Sequence, residues 1–356
     1  MKDERFISKI TQTFIDSKLT PLIIVAAFFL GFLAIFYTPR EEEPQIVVPM
    51  IDVFVNMPGS CPKEVEQRVT YPMEKFLWEI PGVEYIYSTS MPGFSMAVVR
   101  FFVGEDEEKS IVNFFNKLYS NLDLIPYGAS IPLIKPKYID DVPILLLTLW
   151  SDKHTCYNLR RIAKQLEEEI KRVTNVSETH VFGGQRRQIR VTLNSSRMKA
   201  YHIPISRIVS ILKGANKSLE IGSFSRNNKE FIIEVGDFIK SAEDLENIIV
   251  GVWKDLPVYL KDVAQIIDGP EEPDSYLFFK AGPQAKTKGI TAKKDKFYRA
   301  VTISIAKRKG ENATTIAETA LKKVNSLKGS LIPSDVQVTV TRNYGETAKE
   351  KANELL

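Results

Sequence analysis

Cysteine and histidine are both scarce, with two and three residues respectively in a chain of 356. Cys61 and Cys156 cannot build a disulfide-stapled scaffold or a four-cysteine zinc site. His154, His180 and His202 leave little for metal or general-base chemistry, and His154 and His180 lack a third ligand at a plausible spacing. An excess of one charge is missing too: 48 Lys+Arg against 44 Asp+Glu leave +4, too near balance for nucleic acid to be the expected partner. No Ser-His-Asp order, phosphate loop or dinucleotide fingerprint occurs. These absences argue against an enzyme and imply no cofactor. What is present is core-forming material: 44% hydrophobic and 26% charged residues describe a globular chain, and its length predicts about two to three domains.

One run differs from the average. Leu19 to Tyr37 carries no charge, and at ~1.5 Å per residue it is about 28 Å long, enough for a ~30 Å hydrocarbon core. A cleaved signal peptide would need a shorter apolar stretch and a small-residue cleavage site, whereas the flank reads Thr38-Pro39-Arg40-Glu41-Glu42-Glu43. The run is therefore read as a transmembrane helix over 19–37. Lys2, Arg5, Lys9 and Lys18 precede it and three glutamates follow, which predicts a cytoplasmic N-terminal segment over 1–18 and everything beyond residue 40 on the far side. Phe6, Ile7, Ile10, Phe14 and Ile15 recur near helical spacing, as in a segment lying along the inner interface or in a frayed polar leader.

The remainder repeats one pattern. A helix over Cys61 to Ile80, the turn Pro81-Gly82 and a strand over Val83 to Thr89 correspond to a helix over Thr155 to Val173, Thr174-Asn175 and a strand over Val176 to Phe182. The two strand starts lie 93 positions apart (176 − 83). A second pair follows, Val98 to Gly104 with a helix to Leu122, and Val301 to Gly310 with a helix to Leu327. Their glycines lie 206 positions apart (310 − 104), so extra chain sits inside the second copy. The fold class is α+β: two ferredoxin-like βαβ-βαβ units, opened by Ile46 to Val55 and Ile144 to Trp150, the second carrying an inserted α+β domain. Val65, Val69, Met73, Phe76, Leu77 and Ile80 share one helix face, as do Leu159, Ile162, Leu166, Ile170 and Val173.

Inside the insert, a strand over Gln188 to Leu193 and a helix over Ile205 to Asn216 precede a hairpin, Leu219 to Phe224 and Phe231 to Val235. The tip, Ser225 to Lys229, reads as a solvated turn or as an arm toward a neighbouring subunit. Six cations against Asp295 between 285 and 299 read as a flexible loop, with attraction to anionic lipid second. Glu105 to Glu108 suit a helix start, and Glu167, Glu168 and Glu169 a solvated helix face.

Several stretches carry a resemblance. The N-terminal span, Arg40-Glu-Glu-Glu-Pro-Gln-Ile46, Met57-Pro-Gly-Ser60, Pro81-Gly-Val-Glu-Tyr-Ile-Tyr-Ser88, Val181-Phe-Gly-Gly-Gln185, Pro257-Val-Tyr-Leu-Lys-Asp-Val-Ala264 and Asn343-Tyr-Gly-Glu-Thr347 resemble the resistance-nodulation-division efflux permeases, in particular the acriflavine-resistance type. The resemblance implies a first porter subdomain over 45–141, a second over 142–184 plus 273–340, and a docking subdomain over 185–272. It further implies an inner-membrane, proton-driven antiporter of hydrophobic or amphiphilic compounds, a homotrimer working with a periplasmic adaptor and an outer-membrane channel. Residues 343–356 resemble the helix leading to a second span. The family's proton relay uses acids and a lysine on later spans, so this chain is expected to be a fragment or a truncated product that does not transport alone. The hairpin tip is shorter than the long arm of the best-known members, which weakens the expected trimer interlock.

The family's drug pocket is lined by aromatic and apolar side chains, which accept many shapes because their contacts are non-directional. The matching positions are Phe182, Leu145, Gly184, Ser275 and Tyr276, with Phe54 and Met96 from the first subdomain; each is also the kind of residue a core would hold. Where the best-known members carry an aromatic near the start of this strand, Val142 stands, implying a different set of compounds. In an oxidising periplasm Cys61 and Cys156, at equivalent helix starts, are two free thiols or a disulfide. The rival readings are a metal-ion-exporting relative, and a membrane-tethered periplasmic binding or assembly module.

Overall fold

A computed structural model describes residues 14, 15, 17–41, 46–236, 238–283 and 285–355. The expected leader over 1–18 falls largely outside the described residues, as do residues 42–45 and Leu356. Helix α1 (Thr20–Tyr37) is an 18-residue apolar rod with Pro in its first turn, and the side chains of residues 21–35 are exposed, Phe28 to 77%. Among the described residues no helix is long and apolar enough to cross a membrane.

The first unit runs β1 (Met50–Asn56), α2, β2 (Val83–Met91), β3 (Phe94–Phe101), α3 (Glu107–Tyr119) and β4 (Leu133–Lys137). Helix α2 is not the continuous helix expected over 61–80. It is built from Pro62–Val65, a π-helical turn Glu66–Thr70 and Tyr71–Leu77. Pro72 lacks the N–H that an unbroken α-helix would need, and the backbone widens just ahead of it. Asp106 caps α3 by accepting from the Lys109 N–H at 2.8 Å. The sheet order is β2-β3-β1-β4, with every neighbour antiparallel. One face buries Ile51, Val53, Ala97, Val99 and Phe101 against Leu77, Ile80, Phe114 and Leu118.

The second unit opens with β5 (Leu145–Ser151), α4 (Cys156–Lys171) and β6 (Val176–Phe182). The insert follows: β7 (Arg187–Leu193), α5 (Ser195–Ala200), α6 (Ile205–Ala215), β8 (Leu219–Arg226), β9 (Lys229–Val235), α7 (Ala242–Glu246), β10 (Ile249–Trp253), β11 (Leu256–Tyr259), α8 (Leu260–Val263) and β12 (Ala264–Pro270). Strands β7 and β12 pair antiparallel, so the insert leaves and rejoins the second unit at one place. The β8–β9 turn places Asn227 and Asn228 at φ 54° and 57°, the two left-handed residues of a type I′ hairpin turn.

The second unit closes with β13 (Phe278–Phe279), β14 (Tyr298–Lys307), α9 (Ala313–Ser326) and β15 (Gln337–Asn343), and α10 (Tyr344–Leu355) follows. Its order, β6-β14-β5-β15, repeats that of the first sheet, and β13 extends the β6 edge by pairing with Tyr298 and Arg299. Leu145, Leu147, Leu149, Val301, Ile303 and Ile305 face Leu159, Leu166, Ile170, Ile316 and Ala320 of the helices.

Two expectations are corrected by packing. Glu167 is not on a solvated face: it is 1% exposed, with Lys164 Nζ at 2.6 Å and the Thr179 hydroxyl at 3.1 Å. Burial pushes its carboxyl up, but hydrogen bonds from Lys164 and Thr179 outweigh that and hold it below the usual carboxylate value. The basic stretch beyond 285 is not detached either, because Ile290 and Ala292 pack on Trp150, Phe279 and Tyr298. Cys61 and Cys156 are free thiols.

Candidate functional site

Each sheet has one face on its helices, so the expected site residues sort by strand alternation. On the first sheet, Phe54 and Met96 both lie on the outer face, directly opposite each other across β1 and β3. Phe54 stacks on Phe94 with centroids 6.0 Å apart, and Lys135 Nζ stands 5.6 Å from the Phe54 ring. Tyr85 and Tyr87, their rings 6.0 Å apart, extend the same face and are exposed. Polarisable carbon and sulfur cluster on this surface, with Asp52, Lys135 and Arg100 on the same face.

The second sheet presents different chemistry. Phe182 lies on the outer face, 55% exposed, its ring 6.3 Å from His180. Leu145 does not: it is fully buried among the helices, and alternation puts Leu146, Thr148 and Trp150 outward instead. Its assignment as a lining residue is thus corrected. Thr148 Oγ1 is 2.8 Å from Thr302 Oγ1 and 3.1 Å from Thr341 Oγ1, while Trp150 Nε1 donates to Thr339 Oγ1 at 2.9 Å. These hydroxyls satisfy one another, so the centre of the face is polar yet already paired.

Gly184 acts through its backbone. At φ +71° a Cβ would fall 2.7 Å from Arg160 Cβ and 2.8 Å from the Cys156 carbonyl oxygen, so glycine allows β6 to turn off against the start of α4. At Gly183 a Cβ would meet Leu277 Cβ at 2.8 Å, which places the 275–279 segment beside the end of β6. Ser275 and Tyr276 are exposed there, Tyr276 to 70%. The structure therefore brings Phe54 to Met96, and Phe182 and Gly184 to the neighbourhood of Ser275 and Tyr276. The ring contacts of Phe54 and Phe182 stay within their own sheets.

Two of the cavities adjoin the sheets away from these residues. One of about 640 Å³ runs along β15 between Trp150, Lys288–Thr291, Thr339, Thr341 and Glu346. Another of about 240 Å³, lined by Val69, Met73, Phe76, Leu118 and Leu122, separates α2 from the segment before β4. None of the seven expected residues lines either. Thr148, Thr302 and Thr339 were not singled out from the sequence, though the alternation Val301-Thr302-Ile303-Ser304-Ile305 along β14 would have pointed to Thr302.

A family model described as the AcrB/AcrD/AcrF family matches residues 10–354. The multidrug resistance protein MdtC of Yersinia enterocolitica is 25% identical over 338 residues, covering 94% of this chain and 31% of that protein. The MdtC proteins of Yersinia pseudotuberculosis and Yersinia pestis match with the same identity and coverage. The chain thus spans about a third of the length of the curated relatives it matches.

Proposed function

The chain belongs to the AcrB/AcrD/AcrF family, of resistance-nodulation-division efflux permeases, and on that premise we propose that it is the N-terminal portion of a proton-driven inner-membrane transporter that exports hydrophobic or amphiphilic compounds. Helix α1 anchors it, with the N-terminus cytoplasmic and the sheets periplasmic. The span Leu19 to Tyr37 holds no acidic or basic residue, so proton coupling belongs to other parts of the transporter and this portion does not transport alone. It works as a carrier and not as an enzyme. The first sheet belongs to one porter subdomain (45–141), the second to another (142–184 and 273–340), and the insert (185–272) to a docking subdomain that serves a homotrimer. A periplasmic adaptor and an outer-membrane channel complete the assembly.

The observation that carries this reading is the exposure of aromatic rings at the end of β6, with Phe182 on the outer face at 55% and Tyr276 in the adjoining segment at 70%. Large rings left open to solvent beside a framework of paired hydroxyls suit a ligand bound by shape-tolerant contact. An antibody against residues 142–282 reads the apparent mass in native membranes. A band far above 40.4 kDa supports a portion of a larger transporter; a band near that mass overturns it in favour of a tethered binding or assembly module. In cells making the transporter, Phe182→Ala shifts the resistance profile at unchanged protein level. An unaltered profile across several hydrophobic compounds removes Phe182 from the site.

A further inference from the structure

Three segments that are distant along the chain end on one buried lysine. Lys307, the last residue of β14, is 5% exposed. Its Nζ lies 3.2 Å from Glu41 Oε1 and 3.1 Å from Asp140 Oδ1. Glu41 belongs to the stretch that leaves α1, and Asp140 to a 3-10 turn (Ile139–Asp141) between the two sheets. Both carboxylates are themselves largely covered, at 17% and 15% side-chain exposure.

The parts around the lysine are fixed. The Ser177 hydroxyl donates to the Lys307 carbonyl at 2.9 Å, and the Arg308 N–H donates to the Asn175 carbonyl at 3.0 Å, which ties the end of β14 to β6. The turn is held by the Tyr138 N–H donating to Asp141 Oδ2 at 2.9 Å. On the same side, residues 46–49 are stitched to the first sheet: the Gly104 N–H donates to the Val47 carbonyl at 2.8 Å and the Phe101 N–H to the Pro49 carbonyl at 3.0 Å. The end of β14 is thereby fixed to the second unit and residues 46–49 to the first sheet.

An ammonium withdrawn from water is costly unless carboxylates replace its hydration. Here the two replacements come from two other segments, so the burial of Lys307 is satisfied only while all three are docked. A cavity of about 710 Å³ adjoins the cluster, lined by Glu105, Asp106 and Glu107 of one unit and Ser177, Arg308 and Lys309 of the other. At this place the units meet through charge and open space and not through an apolar core. A polar joint of that kind can part into water, because the released charges are rehydrated, whereas an apolar core cannot. The neighbouring Lys309–Glu107 pair, 2.8 Å apart with the lysine 57% exposed, is screened and contributes less.

We propose that Lys307 is a positioning residue, a buried polar pin that fixes the first unit, the second unit and the stretch leading from α1 in one arrangement and whose release lets the units move apart. This rests on the geometry of the chain itself and does not need the transport reading. Cys61 and Cys156 are free, lie in the first and second unit respectively, and are the two cysteines of the chain. Spin labels on them read the separation of the units in the full chain by double electron–electron resonance. The wild type gives one narrow distance distribution. Lys307→Met gives a broadened distribution or a second, longer population, with circular dichroism unchanged; a narrow wild-type distribution in that folded variant overturns the proposal.

Should Lys307→Met fail to fold, Asp140→Asn decides on the same terms, because it removes one carboxylate charge from a short turn and touches neither core. Lys323→Met is the control: its partner Glu169, at 2.8 Å, belongs to the same unit, and the distribution stays narrow. Broadening as large as that of Lys307→Met would mean that any lost ion pair loosens the chain, and would overturn the assignment. For the third segment, labels at Thr38→Cys and Cys156 in a Cys61→Ser background report Glu41→Gln. Broadening there is expected, and an unchanged distribution removes the stretch after α1 from the pin.

Discussion

The two sheets share one strand order and differ on the face that no helix covers. The first presents Phe54, Phe94, Met96, Tyr85 and Tyr87, an aromatic and thioether cluster with Asp52, Arg100 and Lys135 on the same face. The second presents Thr148 bonded to Thr302 and Thr341, and Thr339 accepting from Trp150, with aromatic rings only at its ends. On the helix side the two are alike: both bury branched aliphatic residues under amphipathic helices. The difference teaches that folding free energy is drawn mostly from the helix-side face, while the other face varies in chemistry and, on the second sheet, adds a smaller buried cluster of Trp150, Phe279, Tyr298 and Ala300. It also shows two ways to order a strand face that no helix covers, ring stacking in one unit and, in the other, hydroxyl pairing beside a packed segment around Ile290 and Ala292.

The sharpest way to break that division is to cut the helix-side face. Leu147 is fully buried between β5 and the helices, and Leu147→Ala should cost about 2–5 kcal/mol by lost burial and the cavity left behind, read as a lower midpoint in chemical denaturation. A loss below ~1 kcal/mol would mean that the core is not concentrated where the alternation puts it. Gly184→Ala tests the turn that delivers Phe182 to the outer face. The positive φ and the 2.7 Å approach to Arg160 Cβ predict a loss of about 2–3 kcal/mol and an altered environment for the Phe182 ring by NMR. A neutral effect would mean that the backbone there relaxes freely.

The repeat offers a finer comparison through two glutamates 93 positions apart. Glu74 accepts from the Ser88 hydroxyl and is half-buried; Glu167 accepts from Thr179 and Lys164 and is closed off from solvent. Glu167→Gln should cost about 1–3 kcal/mol and Glu74→Gln about 0.5–1.5 kcal/mol, since a buried group bonded to a charge loses more when its partners change. The pH dependence fixes the sign. The folded-state Glu167 carboxyl lies below its ordinary value of 4.5, so its contribution is complete above that pH and is lost as the pH falls through the lower folded-state value. The stability gap between wild type and Glu167→Gln should therefore narrow in acid. A gap that stays constant down to pH 3 would show that the carboxylate charge is not what stabilises the site.

The repeat of strands and helices and the apolar helix faces were legible because their signals are long and periodic: Leu159, Ile162, Leu166 and Ile170 define one stripe without help from context. Leu145 was misread for the opposite reason. From Ile144 to Trp150 the chain is apolar at nearly every position, so alternation leaves no contrast, and only pairing with β14 decides which leucines face inward. Glu167 stands in a run of three glutamates that composition cannot tell apart; the hydroxyl of Thr179, on the next strand, makes it different. The π-helical turn in α2 and the short insert elements α5, α7 and β10–β11 span five residues or so each, too few for a period to register. The packing of Ile290 and Ala292 on Trp150 was hidden by the lysines around them.

The smallest expected effect is the one that bears most on the site. Met96→Ala and Phe182→Ala both remove large side chains, yet Met96 is only partly covered and Phe182 is 55% exposed. Little area leaves water when these residues fold, so each substitution should shift stability by under about 1 kcal/mol. That near-neutrality is the property that makes an outer-face aromatic available to a ligand: its apolar area is uncovered in the free protein and is gained on binding. Binding of a neutral hydrophobic dye to the intact chain, followed by fluorescence, should weaken several-fold in Phe182→Ala at unchanged denaturation midpoint. If Phe182→Ala instead destabilises the chain as much as Leu147→Ala does, Phe182 belongs to the fold, and the distinction between a folding face and a free face fails at the residue on which it matters most.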